Sequence, residues 1–199
     1  MHISEGVLSM PVIAAGWAFT TGGLAIGLKK TPVKKLPETA LVSSVLFLAS
    51  LIHVPVGPSS IHLTLLGLAG IVLGWSSIPA LFIALLLQGF LFQFGGLLSL
   101  GVNTTAMGTA ALAGGVVFRI MPEKLKFPGA FAGGFTAVIA GTALVTAALF
   151  LSNMELKATA ALLFAANLPL AVVEGVMSLF IVAFLSKMLP KYVSRPARI

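Results

Sequence analysis

The sequence predicts an all-α membrane protein of about seven transmembrane helices, forming a single domain over residues 1–199. Three observations predict it. The first is composition: 58% of the 199 residues are hydrophobic and only 9% are charged, against about 25% charged in a typical soluble domain. A water-soluble core of this size cannot hide so much apolar surface, so the bilayer must act as solvent. The second is the character of the apolar runs, which are long and do not alternate. In lipid every backbone N–H and C=O must be paired within the protein, so only helices and closed barrels cross. Runs without alternation select helices. The third is the placement of charge. Lys29, Lys30, Lys34 and Lys35 follow the first run. Arg119, Lys124 and Lys126 follow the fifth, and Lys187, Lys191, Arg195 and Arg198 follow the seventh. If seven segments alternate, only Lys157 of the 12 cations falls on the other side. The positive-inside rule makes the crowded side cytoplasmic, which places the N-terminus outside and the C-terminus inside.

The seven runs cover residues 7–28, 39–56, 60–75, 79–94, 104–120, 129–151 and 158–187. The first follows Glu5, an acid rather than the basic run of a secretory leader, and it is too long for a leader's apolar core. A carboxylate there also suits the start of a helix. The second run ends in a segment stiffened by Pro55, Gly57 and Pro58, which break helices on either side. The third run is short of the roughly 20 residues a span needs. The segment before it, residues 53–60, is therefore expected to dip into the protein. Gly23 and Gly27 form a GxxxG pair, and Gly67, Gly70 and Gly74 line one face of the third run. Small residues of this kind let helices approach closely within one chain. Gln88, Gln93, Asn103 and Asn167 read as polar glue between helices. Glu174 is the only carboxylate inside a span, and it serves to relay protons, to meet a partner protein or to pair with a neighbouring helix.

Several function classes fall away. The net charge of +7 is spread in short clusters between apolar runs, so it writes topology and implies no nucleic-acid partner. With no cysteine, disulfides and thiolate metal sites are excluded. No GxSxG, HExxH or GxxxxGK[ST] motif occurs. The chain is not an enzyme on this reading, and an energised transporter built on it requires an ATPase partner.

Two features carry coordination chemistry. At Met1-His2 a free amine, the His2 backbone nitrogen and the ring Nδ1 are near enough to close adjacent chelate rings on one ion, leaving one in-plane position open. Square-planar nitrogen ligation suits Ni(II) and Cu(II), and Co(II) is more adaptable. The alternative is a frayed terminus with an incidental histidine. His53 and His62 flank the second external turn. His53 reads as an interfacial histidine bonded to a carbonyl, and His62 as a ligand, because its short segment places it deep.

The opening Met1-His2-Ile3-Ser4-Glu5-Gly6 resembles the MHIxEG start of the CbiM/NikM family, substrate-binding membrane components of energy-coupling-factor transporters for cobalt and nickel. Pro58-Ser59-Ser60-Ile61-His62-Leu63 is similar to that family's serine-rich run before a histidine. Gln88 through Phe92, Gly95-Gly96-Leu97 and Leu100-Gly101-Val102-Asn103 resemble its QxxLF, GGL and LGxN stretch. The resemblance spans nearly the whole chain. It implies metal ligands at Met1 (amine), His2 (backbone nitrogen and ring) and His62 (ring), with nickel or cobalt as transported substrate and no permanently bound cofactor. It also implies a multi-pass place in the plasma (inner) membrane, a transmembrane coupling subunit, ATPase subunits and, in some relatives, a small accessory membrane subunit. Two other classes remain in view: a stand-alone secondary carrier or channel for a small cation, with Glu174 coupling protons, and a membrane enzyme of unrecognised motif.

Overall fold

The computed structural model describes residues 3–51, 53–56, 59–152 and 157–193, with side chains for all of these except 53–56, 59–61 and 157–160. The described chain is built of helices, as the composition requires. Five helical runs are long and apolar enough to cross a membrane: Met10–Lys29, Leu66–Phe92, Leu100–Ile120, Glu123–Ser152 and Ala161–Met188. In chain order the elements are α1 (Met10–Lys29), α2 (Leu36–Ser50), β1 (His53–Val56), β2 (Ser59–His62), α3 (Leu66–Leu73), α4 (Ser77–Phe92), α5 (Leu100–Ile120), α6 (Lys126–Ser152) and α7 (Lys157–Met188).

The third apolar run departs from the expectation of a full span. Residues 53–56 and 59–62 form a two-stranded antiparallel hairpin in which His53 is the Cα partner of His62. Helix α3 then has only 8 residues, a rise of about 12 Å against a hydrocarbon core of about 30 Å. Beyond it Gly74, at φ 58°, breaks the helix before α4 begins. Packing partners give the direction of each piece. Along α3, Gly67 lies against Gly114, Gly70 against Ala111 and Gly115, and Gly74 against the Arg119 guanidinium. Helix α3 therefore runs with the second half of α5. Helix α4 runs the other way. Pro79 lies on Gly27 and Ile78 on Gly23 near the end of α1, while its last turn meets residues 94–96 just before α5. Helices α3 and α4 thus run in opposite senses. The buried residues at the entry to α3 are His62, Thr64, Leu65 and Leu66, whereas the described residues of 53–60, expected to dip, lie in the hairpin and their burial is outside the described side chains.

Close approach is what holds these helices together. Without a hydrophobic driving force between helices in lipid, van der Waals contact and polar bonds decide packing. Helices α3, α5 and α6 meet where Gly67, Gly114, Gly133 and Gly134 touch backbone to backbone. Gly16 of α1 lies on the backbone of Val102, and Gly101 of α5 lies on Trp17. Thr20 Oγ1 donates to the Gly101 carbonyl at 2.6 Å, and Thr105 Oγ1 to the Gly16 carbonyl at 3.0 Å. The glycine pairs serve packing within the chain.

Candidate metal centre

The chain start is fastened into the core, one link after another. Ile3 is fully buried. Its N–H donates to Asn103 Oδ1 at 2.8 Å, and Asn103 Nδ2 donates back to the Ile3 carbonyl at 3.0 Å. One amide side chain thus satisfies both backbone groups of one residue, as a neighbouring strand would. Asn103 is itself held by Ser99, whose Oγ accepts from Nδ2 at 3.4 Å and donates to the Gly95 carbonyl. Two residues further along, Glu5 Oε1 accepts from the Leu98 N–H at 3.3 Å. Gly96 makes that approach possible: at φ 94° it sits in a conformation side chains rarely adopt, and a Cβ there would run into Glu5. Leu8 is buried as well, in the same apolar cluster as Ile3, Leu65 and Leu66. Residues 3–8 therefore sit against the 95–103 segment, with Ser4, Glu5 and Gly6 exposed.

The second half of the site comes from the descent after the hairpin. His62 is 3% exposed, and its Nδ1 lies 3.0 Å from the Leu63 carbonyl. A carbonyl only accepts, so Nδ1 carries a proton in this bond, the way a ring whose other nitrogen ligates a metal is commonly oriented. Directly after it, Glu174 of α7 reaches the start of α3 and is fully buried. Its Oε1 accepts from the Thr64 N–H, from Thr64 Oγ1 at 2.7 Å and from the Leu65 N–H at 2.8 Å. Leu65 adopts a left-handed conformation, φ 51°, which turns two successive amides toward one oxygen. A non-glycine residue held there costs of order 1–3 kcal/mol, and the three donors on one buried carboxylate offset that strain. The arrangement also seats a carboxylate at a helix N-terminus. Glu174 thus pairs with the start of α3, one of the roles its sequence position suggests.

Of the residues singled out by sequence, His62 and Glu174 are thus brought into one buried region. Met1 and His2 lie outside the described residues, as does the side chain of His53. Among the described residues no group of three histidines or acids gathers as a metal cluster. Sequence reading missed two residues that shape the region. Asn103 was read as interhelical glue, but it clasps the chain start. Thr64 carried no signal beyond its place two residues after His62.

Comparison with known proteins accords with this geometry. Residues 2–192 match the family described as the cobalt uptake substrate-specific transmembrane region. The chain is 37% identical to a putative metal transport protein of Haemophilus influenzae, over 98% of each chain. It is 32% identical to a fused nickel transport protein NikMN of Rhodobacter capsulatus, over 54% of this chain and 33% of that one. The fold superposes on the crystal structure of a truncated transition metal transporter with a TM-score of 0.83 at 25% identity, covering 94% of this chain and 99% of the other. The chain is a multi-pass membrane protein and belongs to the CbiM/NikM family of cobalt and nickel transport components.

Proposed function

We propose that this chain binds Ni(II) or Co(II) at the external face and delivers it for ATP-driven uptake, as the substrate-specific component of an energy-coupling-factor transporter. The observation that carries the reading is the two-point clasp of Ile3 by Asn103. It anchors Ile3, the residue that directly follows the proposed ligands in sequence, in the core. In this reading the ligands are the Met1 amine, the His2 backbone nitrogen and ring, and His62 Nε2 as the fourth in-plane donor. Thr64, two residues beyond His62, is held in turn by Glu174. Transport then requires a transmembrane coupling subunit and ATPase subunits, with a small accessory membrane subunit as a further partner.

Equilibrium titration of Ni(II) and Co(II) into the purified protein tests the ligand set. His62→Ala is expected to weaken binding by more than the roughly 10–100-fold typical of outer-shell changes, and His53→Ala by much less. Equal affinities for the native and His62→Ala proteins would remove His62 from the site. Metal uptake into cells with and without the ATPase components separates this reading from a stand-alone carrier. Full accumulation without them would favour the carrier.

A further inference from the structure

We infer that the basic end of the molecule holds an anionic phospholipid, its phosphate among Lys30, Lys35 and Arg119 and one acyl chain in the cleft between α2, α3 and α7. This does not rest on the metal reading. It rests on two adjoining cavities of opposite character. The first, of about 600 Å³, is lined by Lys30, Lys35, Arg119 and Lys191 together with Trp75 and Tyr192 and, among the described residues, by no acidic one. The second, of about 360 Å³, is almost wholly apolar, with Leu41, Val45, Leu68 and Leu185 in its walls. Val72 and Tyr192 line both, so the cationic chamber opens along the protein into an apolar groove. That is the shape of a phospholipid: a charged head at the membrane face and a chain running into the bilayer.

Two cations in the chamber already have roles, which do not cancel their charge. The Arg119 Nη2 donates to the Gly70 carbonyl at 3.2 Å, closing the end of α3. Its guanidinium fills the space left because Gly74 has no side chain: a Cβ there would lie 3.0 Å from Nη2. A guanidinium carries five donors, and closing α3 uses one, leaving the rest of the fork to grip a phosphate. Lys30 Nζ stands 4.6 Å above the Trp75 ring, which steadies it without neutralising it. Glu38 lines the apolar groove rather than the chamber. Basic pockets between helices at the cytoplasmic face are where anionic headgroups are held.

The test uses the full-length chain, stripped of lipid in detergent. Dioleoyl phosphatidylglycerol, dioleoyl phosphatidylcholine and inorganic phosphate are titrated separately. Lipid retention by native mass spectrometry and the thermal midpoint are the readouts. Phosphatidylglycerol is expected to be retained and to raise the midpoint, and phosphatidylcholine and phosphate to do so weakly. Arg119→Gln could disturb α3, so the deciding variant is Lys30→Gln/Lys35→Gln, which leaves the α3 closure in place. It is expected to weaken phosphatidylglycerol binding roughly 25-fold, at about fivefold per cation. Val72→Trp, which narrows the junction of the cavities, is expected to lower phosphatidylglycerol retention as well. Equal retention of both lipids, or unchanged affinity in the double variant, would overturn the site. Phosphate alone matching phosphatidylglycerol would leave an anion pocket and overturn the lipid. Displacement of the lipid by a co-purified coupling subunit would overturn it in favour of a protein interface.

Discussion

Asn103 concentrates two jobs in one side chain, and its removal separates them from mere packing. Asn103→Ala strands the buried N–H and C=O of Ile3, and each unsatisfied group costs about 1–3 kcal/mol. The expected outcome is a lower thermal midpoint together with metal affinity reduced about 10–100-fold. An affinity unchanged in a folded Asn103→Ala protein would show that the anchored chain start does not support metal binding. Glu174 obeys the same logic on the other side of the site. Glu174→Ala leaves the Thr64 and Leu65 amides buried without an acceptor, whereas Glu174→Gln keeps an oxygen for them. Thermal unfolding should therefore show Glu174→Ala clearly less stable than Glu174→Gln, and equal stability would contradict the assigned pairing. Protons compete with metal for the imidazoles and the amine, so affinity should fall as pH drops below roughly 6.5, the ordinary histidine pKa. A titration flat from neutral pH to about pH 5 would exclude histidine ligation.

At the scale of elements, α3 is the piece on which the site stands, and glycines fix its position. A Cβ on Gly70 would strike the Ala111 carbonyl, and one on Gly67 would strike Gly134. Gly70→Ala should cost about 1–3 kcal/mol by overpacking. Gly22→Ala, where a Cβ meets nothing within 4 Å, should be neutral or stabilising by about 0.5–1 kcal/mol. Unfolding of the two variants in detergent compares them directly, and equal losses would refute the close-packed α3. The long helices were legible because hydropathy reads them directly: α6 and α7 begin and end within a few residues of the apolar runs. The hairpin was not: Pro55, Gly57 and Pro58 announce a break between helices, but the pairing of His53–Val56 with Ser59–His62 is a matter of backbone register rather than composition. The shortness of the third run points to a departure from a full span, but not to a left-handed Leu65. That conformation depends on Glu174, 109 residues away in sequence. Asn103 and Ile3, 100 residues apart, were equally beyond local reading, so the LGxN motif showed only as a resemblance. His62 was legible because a histidine at the start of a truncated span has few places to go but inward.

At the scale of the whole molecule, charge and helix direction agree. Helix α1 ends at Lys29, α5 ends beside Arg119 and α7 ends beside Lys187. The cavity lined by Lys30, Arg119 and Lys191 gathers these ends at one face. The chain start is fastened by the 95–103 segment, at the far end of α5 from Arg119. With the basic face cytoplasmic, as the positive-inside rule predicts, the proposed metal site falls on the opposite, external side. A reporter fused after Ile199 should therefore be cytoplasmic, and an external reporter would invert the account.

The central claim, that a terminal chelate holds the metal, is tested most directly by one added residue. An extension before Met1 turns the old amine into an amide and carries the new one out of chelating reach, while His2, His62 and Asn103 stay unchanged. Equilibrium binding of Ni(II) and Co(II) is measured on the protein with its verified native terminus and on the extended protein. The account predicts loss of high-affinity binding on extension, with the thermal midpoint of the metal-free protein kept. Equal affinity in the two proteins would contradict it and would move the site inland, to His53 and His62.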